Sequence, residues 1–160
     1  AYRVVYSFAD WFTLVEVSSM PKSYSINPIG VVRKTDDSTI IEIFEEHVDG
    51  LMGLEGFSHI YVFYWFDQND TPEKRQTLQV HPRKDPNNPL TGVFATHSPQ
   101  RPNLIALTRC EIGRIVGNLI EIDGIDAHDG SPVIDIKCYI PHEDEAVRLP
   151  DWVNKHTDDR

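Results

Sequence analysis

Cysteines and metal-ligand patterns are scarce in this sequence of 160 residues. Its two cysteines, Cys110 and Cys138, cannot build a disulfide framework or a four-ligand zinc site, and the histidines show no metal-ligand spacing. No apolar run approaches the roughly 20 residues of a transmembrane helix, and the N-terminal segment lacks the pattern of a signal peptide. We therefore expect a protein without a metal and without a membrane segment, with the reducing cytoplasm as its default location.

Basic residues are outnumbered as well, with 15 Lys and Arg against 25 Asp and Glu and a net charge of −10. This balance counts against a general nucleic-acid-binding protein, whose surface is usually basic. The exception is the stretch 81–120, which holds five basic residues and only two acidic ones. A local basic patch on an acidic body favours a confined anionic ligand over a long duplex.

The remaining composition is that of a globular protein, with 40% hydrophobic and 25% charged residues, and the length fits one domain. The first well-patterned segment begins just after Met20. We therefore predict a non-core N-terminal extension over residues 1–19, a folded domain over residues 20–148 and a polar tail over residues 149–160.

Short segments rich in β-branched and aromatic residues alternate with turn residues after residue 22. Many short strands of this kind predict a mainly β protein, either an antiparallel sheet or a small antiparallel β-barrel, with one or two short helices. Pro28 lacks a backbone N–H, so the first strand should lie at an edge or be kinked. The predicted strands are Ser23–Lys34, Thr39–Phe44, Ser58–Phe66, Gln76–Val80, Gly92–Thr96, Leu104–Val116, Leu119–Ile122 and Pro132–Ile140, and Glu45–Leu54 is predicted as a short helix.

The segment Ser58–Phe66 is apolar at nearly every position. Such a strand is either buried on both faces or lies between a barrel interior and a partner surface. A small single barrel cannot bury both faces of one strand, so we predict a homodimer.

The densest polar segment is His97–Asn103, directly after a predicted strand. Its two prolines stiffen the loop around Arg101, so little ordering entropy is lost on binding. The Arg101 guanidinium is a planar fork of donors that suits a carboxylate or a phosphate. The alternative is a polar turn in which the arginine caps a neighbouring strand.

A second polar segment, Asp123–Pro132, contains Asp-Gly and Gly-Ser-Pro turn formers. A turn between two strands needs nothing more, and this remains one interpretation. In the other, the carboxylates of Asp126 and Asp129 face a pocket and accept hydrogen bonds from hydroxyl or ammonium groups. The polar pair Asp67-Gln68, at the end of the aromatic strand, is a further place where a ligand would meet the chain.

Three of these segments together resemble one known family. The strings at Gly53–Ile60, Gly92–Asn103 and Asp129–Lys137 are similar, in this order, to the signature of the TrmO (TsaA-like) family. The resemblance runs from about Ile26 to Pro141. It implies an S-adenosylmethionine-dependent methyltransferase built on a β-barrel, which forms homodimers and methylates N6 of threonylcarbamoyl-adenosine in the tRNA anticodon loop.

The resemblance also implies residue roles. Arg101 and Asn103 are expected beside the methyl acceptor or supporting its pocket, and His97 is a candidate base. The implied cofactor contacts are Asp67, Gln68, His97, Leu107, Asp126, Ala127, His128 and Asp129.

The sequence departs from the family pattern in places that bear on substrate. Asp67 stands where many relatives have His, and Ala106 stands where the signature has Gly. The turn at Lys34–Ser38 leads directly into the next strand, whereas relatives have a Pro-Arg-Gln-rich loop there. These departures keep two alternatives open: a methyltransferase acting on a small molecule, and a non-catalytic S-adenosylmethionine-binding barrel.

Overall fold

The structure is a computed structural model that describes residues 23–141 and 148–154. The predicted extension at residues 1–19 lies outside the described residues, as does the end of the predicted tail, at residues 155–160. The described part of the tail contains one helical turn, α2 (Asp151–Asn154). Within these described ranges, no helix is long and apolar enough to cross a membrane.

Six strands close into an antiparallel barrel in the order β1-β2-β7-β6-β3-β8, and β4 pairs with β5 in a separate ladder. This confirms the prediction of a mainly β fold with a small antiparallel barrel and one or two short helices. The strands are β1 (Gly30–Lys34), β2 (Thr39–Ile43), β3 (His59–Trp65), β4 (Gln79–Val80), β5 (Thr91–Gly92), β6 (Ile105–Val116), β7 (Leu119–Asp123) and β8 (Pro132–Cys138), and the first helix is α1 (Pro72–Gln76).

The barrel interior is filled by one face of each strand. In β3 the residues Ile60, Val62 and Tyr64 are buried, and the residues between them are half-buried on the outer face. Two-sided burial of this strand is therefore not found, and its outer face remains the side available to a partner. Each fully buried aliphatic side chain contributes about 1.5–3 kcal/mol to stability. The core also includes Val32, Ile41, Ile43, Ala106, Cys110, Ile120, Ile122 and Val133.

The first strand closes the barrel. Gly30 pairs with Ile43 of β2 and also with Val133 of β8. A closed barrel has no edge strand, and β1 begins after Pro28, where the missing N–H is not needed by the ladder. The predicted strand start at Ser23 and the predicted edge position were therefore wrong.

The region between β3 and β6 also differs from the prediction. Gln76 ends α1 instead of beginning a strand. Two residues favour this helix: the Thr71 hydroxyl caps it by accepting a hydrogen bond from Lys74 N at 3.3 Å, and Pro72 occupies its first turn. Of the predicted strand Gly92–Thr96 only Gly92 lies in a strand, as the second residue of β5, since Val93–Ala95 forms a 3₁₀ helix.

The predicted helix at Glu45–Leu54 is also replaced by tighter turns. The structure has 3₁₀ helices at Glu45–Leu51 and Leu54–Gly56. Gly53 separates them with a φ of 83°, a left-handed conformation that ends a helix and that glycine adopts without a steric penalty.

Three connections lie at the same end of the barrel, because the strands alternate in direction around it. They are the β1–β2 turn (35–38), the β7–β8 loop (124–131) and the long β3–β6 insertion (66–104). The two polar segments of the sequence are thus brought to one end.

Candidate functional site

A cleft of about 300 Å³ opens at this end of the barrel, between the start of β6 and the insertion. Of the predicted site residues, it brings together His97, Arg101, Leu107 and Asp126. Its full lining is Tyr64, Phe66, Phe94, Thr96, His97, Arg101, Ile105, Ala106, Leu107, Thr108 and Asp126.

Strands β3 and β6 build the floor of the cleft. Tyr64 and Thr108 both face inward, and their hydroxyl oxygens lie 3.5 Å apart. Burial raises the pKa of Tyr64, with the nearby negative charge of Asp126 as a smaller cause in the same direction. The Tyr64 hydroxyl therefore stays protonated at neutral pH and offers one donor to the cleft.

Arg101 holds the wall of the cleft. Its Nη2 donates to the carbonyl oxygens of Val93 at 3.2 Å and Thr96 at 3.5 Å. The alternative interpretation was an arginine that caps a neighbouring strand; in the structure the carbonyls it caps belong to the 3₁₀ turn at Val93–Ala95 and its C-cap instead, and the same side chain also lines the cleft. The capped turn carries Phe94, whose side chain is 81% exposed at the cleft rim.

A cluster around Asp70 fixes the insertion against the barrel. The Asp70 carboxylate accepts two hydrogen bonds from Arg75, at 2.7 and 3.0 Å, and one from Trp65 Nε1 at 3.1 Å. Arg75 also stacks on the Trp65 ring and donates to the carbonyl of Pro102 at 3.0 Å. The polar segment that contains Arg101 is thus tied to the end of β3.

The β7–β8 loop closes the barrel end. Ile125 and Ala127 are buried, so the loop alternates inward apolar residues with exposed polar ones. The Lys34 ammonium donates to Ile125 O at 3.1 Å, and Asp129 Oδ1 accepts from the backbone N of Lys34 at 2.9 Å. This anchoring leaves Asp126 facing the cleft.

The other predicted site residues lie around the cleft without lining it. Asp67 Oδ1 accepts a hydrogen bond from the buried Ser131 hydroxyl at 3.3 Å, so it lies against the β7–β8 loop. Gln68, Asn103 and His128 are exposed. Ala127 is buried in the loop, and Asp129 is held by β1 as described above.

Sequence reasoning missed much of the floor and rim. Tyr64 and Phe66, like Ala106 and Thr108, are two residues apart on strands that the sequence did predict. Alternation could have placed each pair on one face, but only barrel closure shows that these faces meet. The other missed lining residues are Phe94, Thr96 and Ile105.

The lining combines aromatic rings, aliphatic side chains and one carboxylate. Such a cleft suits an amphipathic ligand with a planar ring and a cationic or hydroxyl-bearing part, since carboxylates accept from hydroxyls and aromatic faces attract cations. Among residues 23–141 and 148–154, no group of three or more His, Cys, Asp or Glu is arranged to hold a metal ion.

Comparison with known proteins gives consistent matches. Residues 17–145 match the family model described as the tRNA-methyltransferase O N-terminal domain. The chain is 51% identical over 116 residues to a probable S-adenosyl-L-methionine-binding protein of Methanocaldococcus jannaschii, covering 72% of this chain and 92% of that protein. It is also 42% identical over 107 residues to the human tRNA (adenine(37)-N6)-methyltransferase, covering 67% of this chain but only 24% of that enzyme.

Among solved structures, TrmO from Pseudomonas aeruginosa matches with a TM-score of 0.61 and 25% sequence identity. The match covers 82% of this chain and 63% of that chain. This chain thus spans most of its archaeal relative but less than two thirds of the solved bacterial protein and about a quarter of the human enzyme.

Proposed function

This chain belongs to the family of the tRNA-methyltransferase O N-terminal domain, and on that premise we propose that it is an S-adenosylmethionine-dependent methyltransferase that acts on N6 of threonylcarbamoyl-adenosine in tRNA. The observation that carries the proposal is the cleft, which joins His97 and Arg101 of the signature segment to Asp126 of the β7–β8 loop. Relatives named for S-adenosylmethionine binding and for adenine-N6 methylation of tRNA support it.

The side chains of the cleft fit this cofactor. Phe66 and Phe94 offer aromatic faces for an adenine ring or a sulfonium, and the carboxylate of Asp126 suits the ribose hydroxyls or the ammonium group. When bound, S-adenosylmethionine supplies a methyl group on a positively charged sulfur. The negative charge of Asp126 would favour a cation of this kind in the cleft.

The proposed roles of the chain in transfer are positioning and proton removal. Holding the acceptor nitrogen in line with the methyl group can lower the activation free energy of methyl transfer by several kcal/mol, up to roughly 7–11 in model systems. An N6 nitrogen that carries an acyl group is a poor nucleophile while it keeps its proton. His97 would accept that proton as the N6–methyl bond forms and the sulfur–methyl bond breaks, which would leave the cofactor as a neutral thioether.

We also propose that the protein acts as a homodimer. The cleft of one copy lies at the lower limit of ligand-pocket volumes, and the proposed cofactor residues Asp67, Gln68 and His128 lie outside it. Leu107 lines the cleft yet is 46% exposed on the outer face of β6, next to the half-buried outer face of β3. A second copy on this face would enlarge the site. Light scattering at micromolar concentration should therefore give twice the 18.3 kDa chain mass.

The direct test is methyl transfer to tRNA that carries threonylcarbamoyl-adenosine. Purified protein, this tRNA and methyl-labelled S-adenosylmethionine should yield a methylated anticodon-loop nucleoside, detected by mass spectrometry of digested RNA. The same tRNA without the threonylcarbamoyl group is the matched control and should stay unlabelled.

The archaeal relatives, named only for S-adenosylmethionine binding, favour one alternative, a non-catalytic cofactor-binding barrel. Calorimetric binding of S-adenosylmethionine without any transfer to tRNA would support that alternative. Transfer to a small-molecule extract but not to tRNA would instead identify a small-molecule methyltransferase.

A further inference from the structure

The insertion carries a second feature, which we name the basic hairpin tip and define as residues 81–90 between β4 and β5. The β4–β5 ladder pairs Gln79 with Gly92 and Val80 with Thr91. Gly92 leads directly into the 3₁₀ helix that carries Phe94 to the cleft rim. Lys84 is four residues beyond Val80, so its backbone lies within about 14 Å of this ladder.

The backbone of the tip is strained at two consecutive residues. Arg83 and Lys84 both have a φ of 58°, and Asp85 N donates to Pro82 O at 3.2 Å, which together match a type I′ turn. This turn prefers Asn-Gly, because the Cβ atom of most residues costs roughly 1–2 kcal/mol in the left-handed region, whereas glycine has no Cβ and asparagine tolerates that region through local hydrogen bonds. Arginine and lysine are thus held where other residues would be more stable.

The surrounding contacts keep the tip in this conformation. Asn88 is only 7% exposed and its Nδ2 donates to Pro82 O at 3.0 Å. The ring Nδ1 of His81 hydrogen-bonds to Asn88 O at 2.7 Å. The turn is therefore fixed before any ligand arrives, so binding there loses little conformational entropy.

The two basic side chains are directed to solvent. Both Arg83 and Lys84 are exposed, and within the described part of the chain neither side chain has a hydrogen-bond or ion-pair partner. They lie in the stretch 81–120, where basic residues outnumber acidic ones on an otherwise acidic chain. Strain retained at an exposed, preformed and unpaired basic pair points to a binding role, since strained residues cluster at functional sites.

We propose that Arg83 and Lys84 bind the phosphate backbone of the RNA whose target nucleotide enters the cleft. This inference rests on the proposed function, because it requires an RNA substrate. The position fits, since the hairpin continues from the cleft wall and its tip is close enough to reach phosphates near the target nucleotide. Arginine and lysine are the usual phosphate-binding residues, and their contacts carry affinity without reading sequence.

The test is the double variant Arg83→Asn/Lys84→Gly, which installs the residues that a type I′ turn prefers. We expect its melting temperature to rise, because the strain is relieved. Its affinity for tRNA that carries threonylcarbamoyl-adenosine should fall roughly tenfold or more at 0.1 M salt. The slope of the logarithm of the tRNA association constant against the logarithm of the salt concentration should become shallower by about 1.5, as expected for two lost phosphate contacts. Calorimetric S-adenosylmethionine affinity should not change.

The matched control is Arg33→Gln/Arg114→Gln, which changes the net charge equally at two exposed, ion-paired arginines outside the cleft. It should leave both the tRNA affinity and the salt slope close to those of the unmodified protein. A more stable Arg83→Asn/Lys84→Gly variant that binds tRNA with unchanged affinity and slope would overturn the inference. If the unmodified protein binds no tRNA at all, the proposed function fails instead.

Discussion

At the scale of single residues, Asp126 and Asp129 are three positions apart and yet have different neighbours. The sequence predicted one role for both, as carboxylates that contact a cofactor. In the structure Asp126 lines the cleft, whereas Asp129 accepts a hydrogen bond from the backbone of Lys34. A sequence motif cannot separate these environments, because they depend on which strand each side chain of the loop meets.

We predict that Asp126→Asn weakens S-adenosylmethionine binding by roughly ten- to a hundredfold with little change in melting temperature. The expected loss is that of a hydrogen bond to a charged group, about 1.5–3 kcal/mol. Asp129→Ala should instead reduce the free energy of unfolding by about 1 kcal/mol, since Lys34 N loses its acceptor. Titration calorimetry and denaturant unfolding of both variants check the two effects. Unchanged cofactor affinity in Asp126→Asn would contradict its proposed role.

At the scale of elements, barrel closure depends on how closely β1 approaches β2. A Cβ atom added at Gly30 would overlap the backbone oxygen of Glu42, which cannot move without disturbing the ladder. We therefore predict that Gly30→Ala destabilises the protein by about 2–4 kcal/mol, in the range of severe core substitutions. Gly50→Ala is the matched control, because no atom lies within 4 Å of its added Cβ. Equal melting temperatures of the two variants would contradict this account of β1.

The insertion depends on an ion pair, and its contribution should vary with pH. The two hydrogen bonds from Arg75, and next the one from Trp65, hold the pKa of Asp70 below its ordinary value of 3.8. A lowered pKa in the folded state gives a stabilisation that is present above about pH 4 and is lost as the pH falls further. We predict that, as the pH falls from 5 to 3, the free energy of unfolding decreases less in the Asp70→Asn variant than in the unmodified protein.

Asp37→Asn, in the exposed β1–β2 turn, is the control for this comparison, because it removes one carboxylate without removing a described ion pair. Thermal unfolding across the pH series provides the measurement. A pH profile of Asp70→Asn that parallels that of the unmodified protein would show that the Arg75 contact does not stabilise the fold.

The elements also show which parts of the fold a sequence can predict. The strands β6 and β8 were predicted almost to the residue, since long alternation specifies one buried face. The strands predicted at Gln76–Val80 and Gly92–Thr96 are each shorter in the structure, where they contribute to a two-residue ladder, and the 3₁₀ helix at Val93–Ala95 was not predicted. They depend on contacts with distant residues, such as the hydrogen bonds from Arg101, and short segments carry little periodicity of their own.

The candidate site divides in the same way. His97, Arg101 and Asp126 were accessible from motif resemblance, because they lie in contiguous, recognisable segments. Tyr64 and Thr108 were not, since their meeting requires the register between β3 and β6. The strain at Arg83 and Lys84 was also hidden, because no glycine or asparagine marks that turn.

At the scale of the whole molecule, the barrel supplies a closed support and the insertion supplies the variable wall of the cleft. The strands of the barrel bury aliphatic residues around the whole interior, so detaching any one strand would expose core side chains to solvent. The insertion lies outside this core cluster and is held by polar contacts at Asp70 and Arg101 and by the buried side chains of Val93 and Leu104. Opening of the barrel should therefore require global unfolding, whereas the insertion can open at lower free energy.

Cys110 reports on barrel opening. It lies at the centre of β6 with no exposed surface, and burial raises the pKa of its thiol to about 11. At pH 8 only about one thiol in a thousand would be the reactive thiolate, and the alkylating reagent must also reach it.

We predict that alkylation of Cys110 in a Cys138→Ser variant proceeds at the rate of global unfolding and becomes fast only in denaturant. Peptide mass spectrometry follows the label, with the Cys110→Ser variant, which retains the half-buried Cys138, as the control. Labelling of Cys110 as rapid as that of Cys138 in native buffer would mean that the barrel opens locally at β6, and the insertion and the cleft would then lose their rigid support together.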